Sequence, residues 1–185
     1  LRQQIERWRP AVVIATGVHR GETFRLESTA RNRDASNRPD VDGETRSDQP
    51  ISPTGPAELA SRLPLSSIAN RLAAEGLPVE YSADAGGYLC NHLFYRLLEA
   101  VDRWTIGTVG PRTAGEAPRG RALAADDETV SSDRAPIAGF IHVPPLAAPG
   151  LDREDVSRGM QLAVEATVDW LSGVTGGPSS LVDDR

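Results

Sequence analysis

The sequence predicts an α/β fold, a three-layer sandwich in which a mostly parallel, twisted central sheet is flanked by helices. Three observations carry this. Two short apolar runs, AVVIATG at residues 11–17 and PIAGFIHV at 136–143, are rich in β-branched residues and read as strands buried on both faces. Elsewhere apolar residues recur at spacings of three and four, the period of amphipathic helices. Strands alternating with helices in a chain of 185 residues imply one core and a largely parallel sheet.

The elements follow in order. Residues 2–9 are polar apart from Ile5 and Trp8 and read as the last turns of a helix that Pro10 ends. The strand 11–17 comes next, and Phe24 to Glu27 is a second short strand. Residues 28–56 are polar and turn-rich and are expected to form a long surface loop. Residues 57–75 hold helical material, with Leu65, Ile68, Ala69 and Leu72 on one face and Gly76 as the stop. PVEYS at 78–82 is a strand and Ala85-Gly86-Gly87 a turn. Tyr88 to Arg103 is a helix with Leu89, Leu93, Leu97 and Val101 on one face. Residues 105–134 carry four glycines and few large apolar side chains. They bury too little surface to offset their ordering entropy, so disorder is expected. The strand 136–143 leads to a helix over 152–172, N-capped by Asp152, with Val156, Met160, Ala163, Val164 and Val168 as its apolar stripe. A flexible tail follows at 173–185.

Composition narrows the function classes. The formal charge is −6 and arginines are interspersed with acids, which argues against a nucleic-acid partner. No run approaches the length of a membrane helix, and the charged first ten residues lack a signal-peptide core. A single cysteine excludes an internal disulfide, so a cytoplasmic location is the expectation. Motifs for phosphate or dinucleotide binding and zinc-ligand spacings are missing, and neither metal nor cofactor is expected.

Cys90 stands out by position. It follows a strand and a Gly-Gly turn and opens a helix. The positive end of the helix dipole and the first-turn N–H groups favour thiolate over thiol. The same N–H groups could stabilise an oxyanion on an attacked carbonyl. The bland alternative, Cys90 as a small buried hydrophobe, stays open. A thiol peptidase also needs an imidazole as base and acid. His142 ends the apolar strand 136–143, where a sheet edge presents residues to a ligand crevice, although from the strand alone a core histidine with a backbone partner is the stronger reading. His92 lies two positions past Cys90 on the same helix and cannot face it. His19, beside Arg20 and Gly21, has no evident partner. With 26 acidic residues, spacing selects no third member.

Three motifs supply what spacing does not. SADAGGYLCNHLFYRLLE at 82–99 resembles the active-site cysteine motif of the pyroglutamyl-peptidase I (pyrrolidone-carboxylate peptidase) family, GFIHVP at 139–144 resembles its histidine motif, and LESTARNRDASNRPDVDG at 26–43 resembles the stretch that begins with its glutamate. The resemblance covers about residues 10–104 and 135–172. It implies a single domain over 1–172 that lacks the family's first βα unit and carries an insertion at 105–134. It further implies Cys90 as nucleophile, His142 as general base and acid, and Glu27 as the carboxylate that orients His142. Gly17, His19, Gly87 and Tyr88 would contact substrate. The implied reaction is cysteine-type omega-peptidase hydrolysis of an N-terminal pyroglutamyl residue from a peptide, through a thioester acyl-enzyme and without a cofactor. The partner is that peptide, with no nucleic acid or membrane involved and a homo-oligomer allowed. The competing expectation is an inactive or fragmentary family member that binds a peptide or a protein partner.

Overall fold

A computed structural model describes residues 1–36, 39, 41–108, 136–146 and 149–173. The element order is α1 (Arg2–Trp8), β1 (Val12–Val18), β2 (Phe24–Glu27), β3 (Thr29–Arg31), β4 (Asp34–Ser36), β5 (Arg46–Gln49), β6 (Glu58–Ala60), α2 (Leu65–Ala74), β7 (Val79–Ser82), α3 (Leu89–Thr108), β8 (Ile137–Val143) and α4 (Arg153–Leu171). The fold is α/β, as expected.

The main sheet has four strands in the order β1-β8-β2-β7. β1 and β8 run parallel: the Ile137 N–H donates to the Ala11 carbonyl (2.9 Å) and, at the other end, the His19 N–H donates to the Val143 carbonyl (3.2 Å). β2 and β7 are also parallel, tied by Phe24 N–H to Pro78 O (2.8 Å) and Ser28 N–H to Ser82 O (2.7 Å). Only residues 19–23 join β1 to β2, far fewer than a parallel crossover requires, so the sheet is mixed. β8 is buried along its length, as its apolar run predicts. β1 is only half-buried, because it is the last strand of the order rather than an interior one.

The chain divides into two compact units. The first comprises Leu1–Gly17, Glu27–Arg62 and Ser82–Ile141. Its core joins Phe94, Tyr95, Leu97, Leu98 and Val101 of α3 to Phe140 of β8, Ile5 of α1 and Ile51, with the Phe94 and Phe140 ring centroids 5.8 Å apart. Leu89 and Leu93 are exposed, so the buried face of α3 is turned from the expected stripe toward 94, 97, 98 and 101. Trp8 is exposed as well: its indole N–H donates to Gln4 Oε1 (3.0 Å) and the Arg7 guanidinium lies over its ring.

Residues 28–56 are not one long loop. β3 pairs antiparallel with β6 through Thr29↔Ala60, Ala30↔Leu59 and Arg31↔Glu58, and β4 pairs with β5 through Asp34↔Gln49 and Ser36↔Arg46. The β4–β5 ladder contains an irregularity, and Asp48 adopts a left-handed φ of 50°. These strands lack apolar alternation, so periodicity hides them. A side-chain amide holds their connections instead. Asn32 Nδ2 donates to the carbonyls of Ser52 (2.8 Å) and Gly55 (3.2 Å), and its Oδ1 accepts from the Ser52 N–H (2.8 Å).

The second unit comprises Val18–Leu26, Leu63–Tyr81 and His142–Arg185. α2 buries Ile68, Ala69 and Leu72 as expected and ends before Gly76, whose φ of 74° suits a glycine. α4 opens with a capping box between Asp152 and Asp155. It buries Val156, Gly159, Leu162, Ala163, Ala166 and Thr167, while Val164 and Val168 are exposed, so its stripe too is rotated from the expected one. The reason is Gly159: a Cβ there would meet Phe24 Cζ at 2.1 Å, so α4 rests its backbone on the Phe24 ring of β2. Arg71 of α2 and Asp169 of α4 close the helix pair (2.6 Å). α3 continues to Thr108, past the expected end at Arg103. The rest of the expected insertion, 109–134, and the tail from 174 lie outside the described residues.

Candidate active site

Cys90 is the second residue of α3 and is half-buried, with its side chain against the first unit's core. The turn ahead of it is built in three steps. The Asp84 N–H donates to Ser82 Oγ (3.1 Å), the Gly86 N–H donates to Asp84 Oδ1 (3.0 Å), and Gly86 takes a left-handed φ of 85° that glycine adopts without strain. Gly87 then passes against β4. The Ala35 N–H donates to the Gly87 carbonyl (2.8 Å), and a Cβ at Gly87 would meet Ala35 O at 2.7 Å. The two glycines of the motif thus do different things: one supplies the conformation, the other the close approach.

The helix start is pinned from its other side by residues to which sequence reasoning gave no such role. Asn91 is 2% exposed. Its Nδ2 donates to the carbonyls of Arg31 and Arg33 (both 2.9 Å), and its Oδ1 accepts from the Arg31 N–H (2.9 Å). His92 points away from the helix and donates Nδ1–H to Asp34, with its two oxygens at 3.0 and 2.9 Å. The partner of His92 thus lies on β4. Gly87, Asn91 and His92 flank Cys90 and all anchor on residues 31–35, which fixes the first turn of α3 in place. The Tyr88 hydroxyl donates to the Pro39 carbonyl (3.1 Å). A cavity of about 150 Å³ opens beside this turn, lined by Asp34, Ser36, Glu44, Gly87, Tyr88, Leu89 and His92. It therefore includes both first-unit residues expected near substrate from the cysteine motif, Gly87 and Tyr88, whereas Gly17 sits half-buried in β1.

Glu27, the last residue of β2, also belongs to the first unit and is fully buried. A carboxyl group taken out of water in this way is costly unless polar partners surround it. His142 lies in the second unit, near the end of β8, and is buried at 6% exposure. The second unit brings His19 beside it, with ring centroids 5.8 Å apart and the planes tilted by 58°. His19 does have polar partners, contrary to expectation. Its Nε2–H donates to the Thr23 carbonyl (2.6 Å) and its Nδ1 accepts from the Gly21 N–H (3.1 Å). Both ring nitrogens are engaged within its own loop, so the face of the ring is what it can offer to a neighbour. Among the described residues no group of three His, Cys, Asp or Glu could hold a metal ion, and no helix is long and apolar enough to cross a membrane.

Known proteins resemble the chain over most of its length. A sequence model of the family described as pyroglutamyl peptidase matches residues 1–109. The pyrrolidone-carboxylate peptidase of Bacillus licheniformis is 31% identical over 166 residues, which cover 89% of this chain and 64% of that protein. The pyrrolidone-carboxylate peptidase of Gloeobacter violaceus is 37% identical over 106 residues, 57% of this chain and 52% of that one. The chain thus spans less than two thirds of the length of these relatives. Among solved structures, pyroglutamyl peptidase I of Bacillus amyloliquefaciens superposes with a TM-score of 0.69 at 25% identity, covering 90% of this chain and 70% of that one. A mutant pyrrolidone carboxyl peptidase of Pyrococcus furiosus shares the fold with a TM-score of 0.71. On the strength of the match over residues 1–109, the chain belongs to the pyroglutamyl peptidase family.

Proposed function

We propose that this protein is a cysteine-type omega-peptidase that removes an N-terminal pyroglutamyl residue from peptides, with Cys90 as nucleophile, His142 as general base and acid, and Glu27 as the carboxylate that orients His142. The observation that carries the reading is the anchored first turn of α3. Cys90 sits in the first turn of a helix, whose N–H groups are placed to stabilise a developing oxyanion, and residues on either side of it are locked to β4. Family membership and the burial of Glu27 and His142 support the other two roles.

In the first half-reaction the Cys90 sulfur attacks the carbonyl carbon of the pyroglutamyl amide. The tetrahedral intermediate expels the amine, which takes a proton from the His142 imidazolium, and a thioester remains. Water then attacks the thioester as His142 accepts its proton. The C–S bond breaks, pyroglutamate leaves and the thiolate returns. Each proton removed in one half is returned in the other, so no redox partner is needed. Glu27 holds one imidazole tautomer, the task of the acid in other triads. The proposed substrate is a peptide with an N-terminal pyroglutamate, and the proposed setting is the cytoplasm, where the single cysteine needs no disulfide partner. A homo-oligomer is compatible with this reading.

The test is release of the chromophore from pyroglutamyl p-nitroanilide by the full-length protein. Cys90→Ala and His142→Ala are each expected to lower kcat by about 10³-fold or more, and Glu27→Gln by about 10²-fold or more. Wild-type rates in Cys90→Ala would refute the assignment.

A further inference from the structure

We infer that His19 is a positioning residue for His142, its ring holding the His142 imidazole in place for the proton transfers of the proposed reaction. This rests on the proposed peptidase reading and deepens it, and it gives His19 a role other than contact with substrate. Backbone and side chain both bring the two residues together within the second unit. The His19 N–H donates to the carbonyl of Val143, the residue after His142 (3.2 Å), which fastens the loop that follows β1 beside the end of β8. The two rings then lie 5.8 Å apart between centroids at a tilt of 58°, within the range where aromatic rings attract in tilted arrangements.

The loop between β1 and β2 is built to hold the His19 ring still. Nε2–H is spent on the Thr23 carbonyl (2.6 Å) and Nδ1 on the Gly21 N–H (3.1 Å). Gly21 also closes on the ring: a Cβ there would meet His19 Cε1 at 2.6 Å and Nδ1 at 2.9 Å. Gly21 does not have a left-handed φ, so the close approach to His19 is what asks for glycine at this place. With both nitrogens engaged by its own loop, His19 turns its carbon edge and π face to its neighbour. A ring whose Nδ1 accepts an N–H carries no charge in that arrangement. It therefore does not repel the imidazolium that His142 becomes in the proposed reaction, and a π face at this distance attracts a cation. His142 is itself buried, and a tethered ring beside it limits the orientations its imidazole can take.

The experiment measures kcat and KM separately for pyroglutamyl p-nitroanilide, using the full-length protein and three variants. His19→Asn keeps a side-chain acceptor for the Gly21 N–H and loses the ring. It is expected to lower kcat by about five- to tenfold and to change KM by less than about twofold. His19→Phe keeps a ring without the nitrogen tethers and should bring kcat back to within about threefold of wild type. Gly21→Ala leaves His19 in place but crowds its ring from the loop side, and should lower kcat by about as much as His19→Asn. Wild-type kcat in His19→Asn, no recovery in His19→Phe, or a rise in KM at constant kcat, which would make His19 a substrate contact, each overturns the inference and leaves the peptidase reading standing. If His19→Asn does not fold by circular dichroism, Gly21→Ala decides, and wild-type kcat there overturns the inference. If the wild type does not hydrolyse the substrate, both are overturned.

Discussion

Asp34 and His92 meet across 58 residues of sequence, the imidazole Nδ1 donating to both carboxylate oxygens at 2.9 and 3.0 Å. The contact ties β4 to the first turn of α3 two residues beyond Cys90. Removing the ring in His92→Ala takes a hydrogen-bond partner from a carboxylate whose residue is 5% exposed. A loss of about 1–3 kcal/mol in urea denaturation is expected, with His92→Gln recovering part of it. Equal midpoints for wild type and His92→Ala would mean the pair holds nothing.

Gly87 is where the turn that carries the proposed nucleophile is held most closely against β4. An added Cβ would sit 2.7 Å from the Ala35 carbonyl oxygen, a backbone atom of a paired strand that cannot swing aside. In Gly87→Ala the turn must shift, carrying Cys90 with it. A displacement near 1 Å at the reacting atom lowers rates by about 10²-fold. The expected result is a large fall in kcat for pyroglutamyl p-nitroanilide with the fold retained by circular dichroism. Undiminished kcat would show that the turn tolerates movement.

Gly159→Ala sets two effects against each other. Replacing glycine in a helix interior gains about 1 kcal/mol of propensity. The new methyl, however, would lie 2.1–2.7 Å from three atoms of the Phe24 ring, which is fully buried, and such overpacking costs about 1–3 kcal/mol. Net destabilisation is expected, visible as a lower Tm, and Phe24→Leu in the same chain should relieve part of it. A raised Tm in Gly159→Ala alone would contradict the packing described for α4.

Glu99 links stability to pH. Burial works to raise its carboxyl, but hydrogen bonds from Ser52 Oγ (2.6 Å) and Arg96 (2.8 Å), with Arg103 at 3.0 Å, outweigh it and hold the group below the ordinary carboxylate value. A folded value below the unfolded one means that Glu99 stabilises the protein above the unfolded value of about 4.3, and that this stabilisation is lost as pH falls through the carboxylate range. Glu99→Gln should therefore be less stable than wild type at pH 7 by about 1–3 kcal/mol, and the gap should narrow in acid. Urea titrations at several pH values measure it, and a gap independent of pH would exclude the carboxylate as its source.

What could be read from the sequence follows from where each element keeps its signal. β8, β7 and α2 announce themselves by composition or by spacing, because apolar contact builds them. The small strands β3 to β6 are silent, since the amides of Asn32 and Asn91 hold them and a hydrogen bond to a residue 20 or 60 positions away leaves no local pattern. The buried face of α4 departs from its apolar periodicity where a glycine stands in for a side chain: Gly159 rests on Phe24, and no periodicity that counts large apolar residues registers it. Cys90 stands out in the sequence because the features that make it a candidate are local to one turn. His142 is a candidate from its place at a strand end, Glu27 from motif resemblance alone, and the Asp34–His92 pair, like the cavity beside it, emerges only when β4 is folded against α3.

The most direct test of the account is acid-quenched mass spectrometry after brief mixing with pyroglutamyl p-nitroanilide. The account predicts one pyroglutamyl group attached to the peptide that contains Cys90, absent in Cys90→Ala. Sustained turnover with no adduct, or an adduct on any other residue, would contradict it.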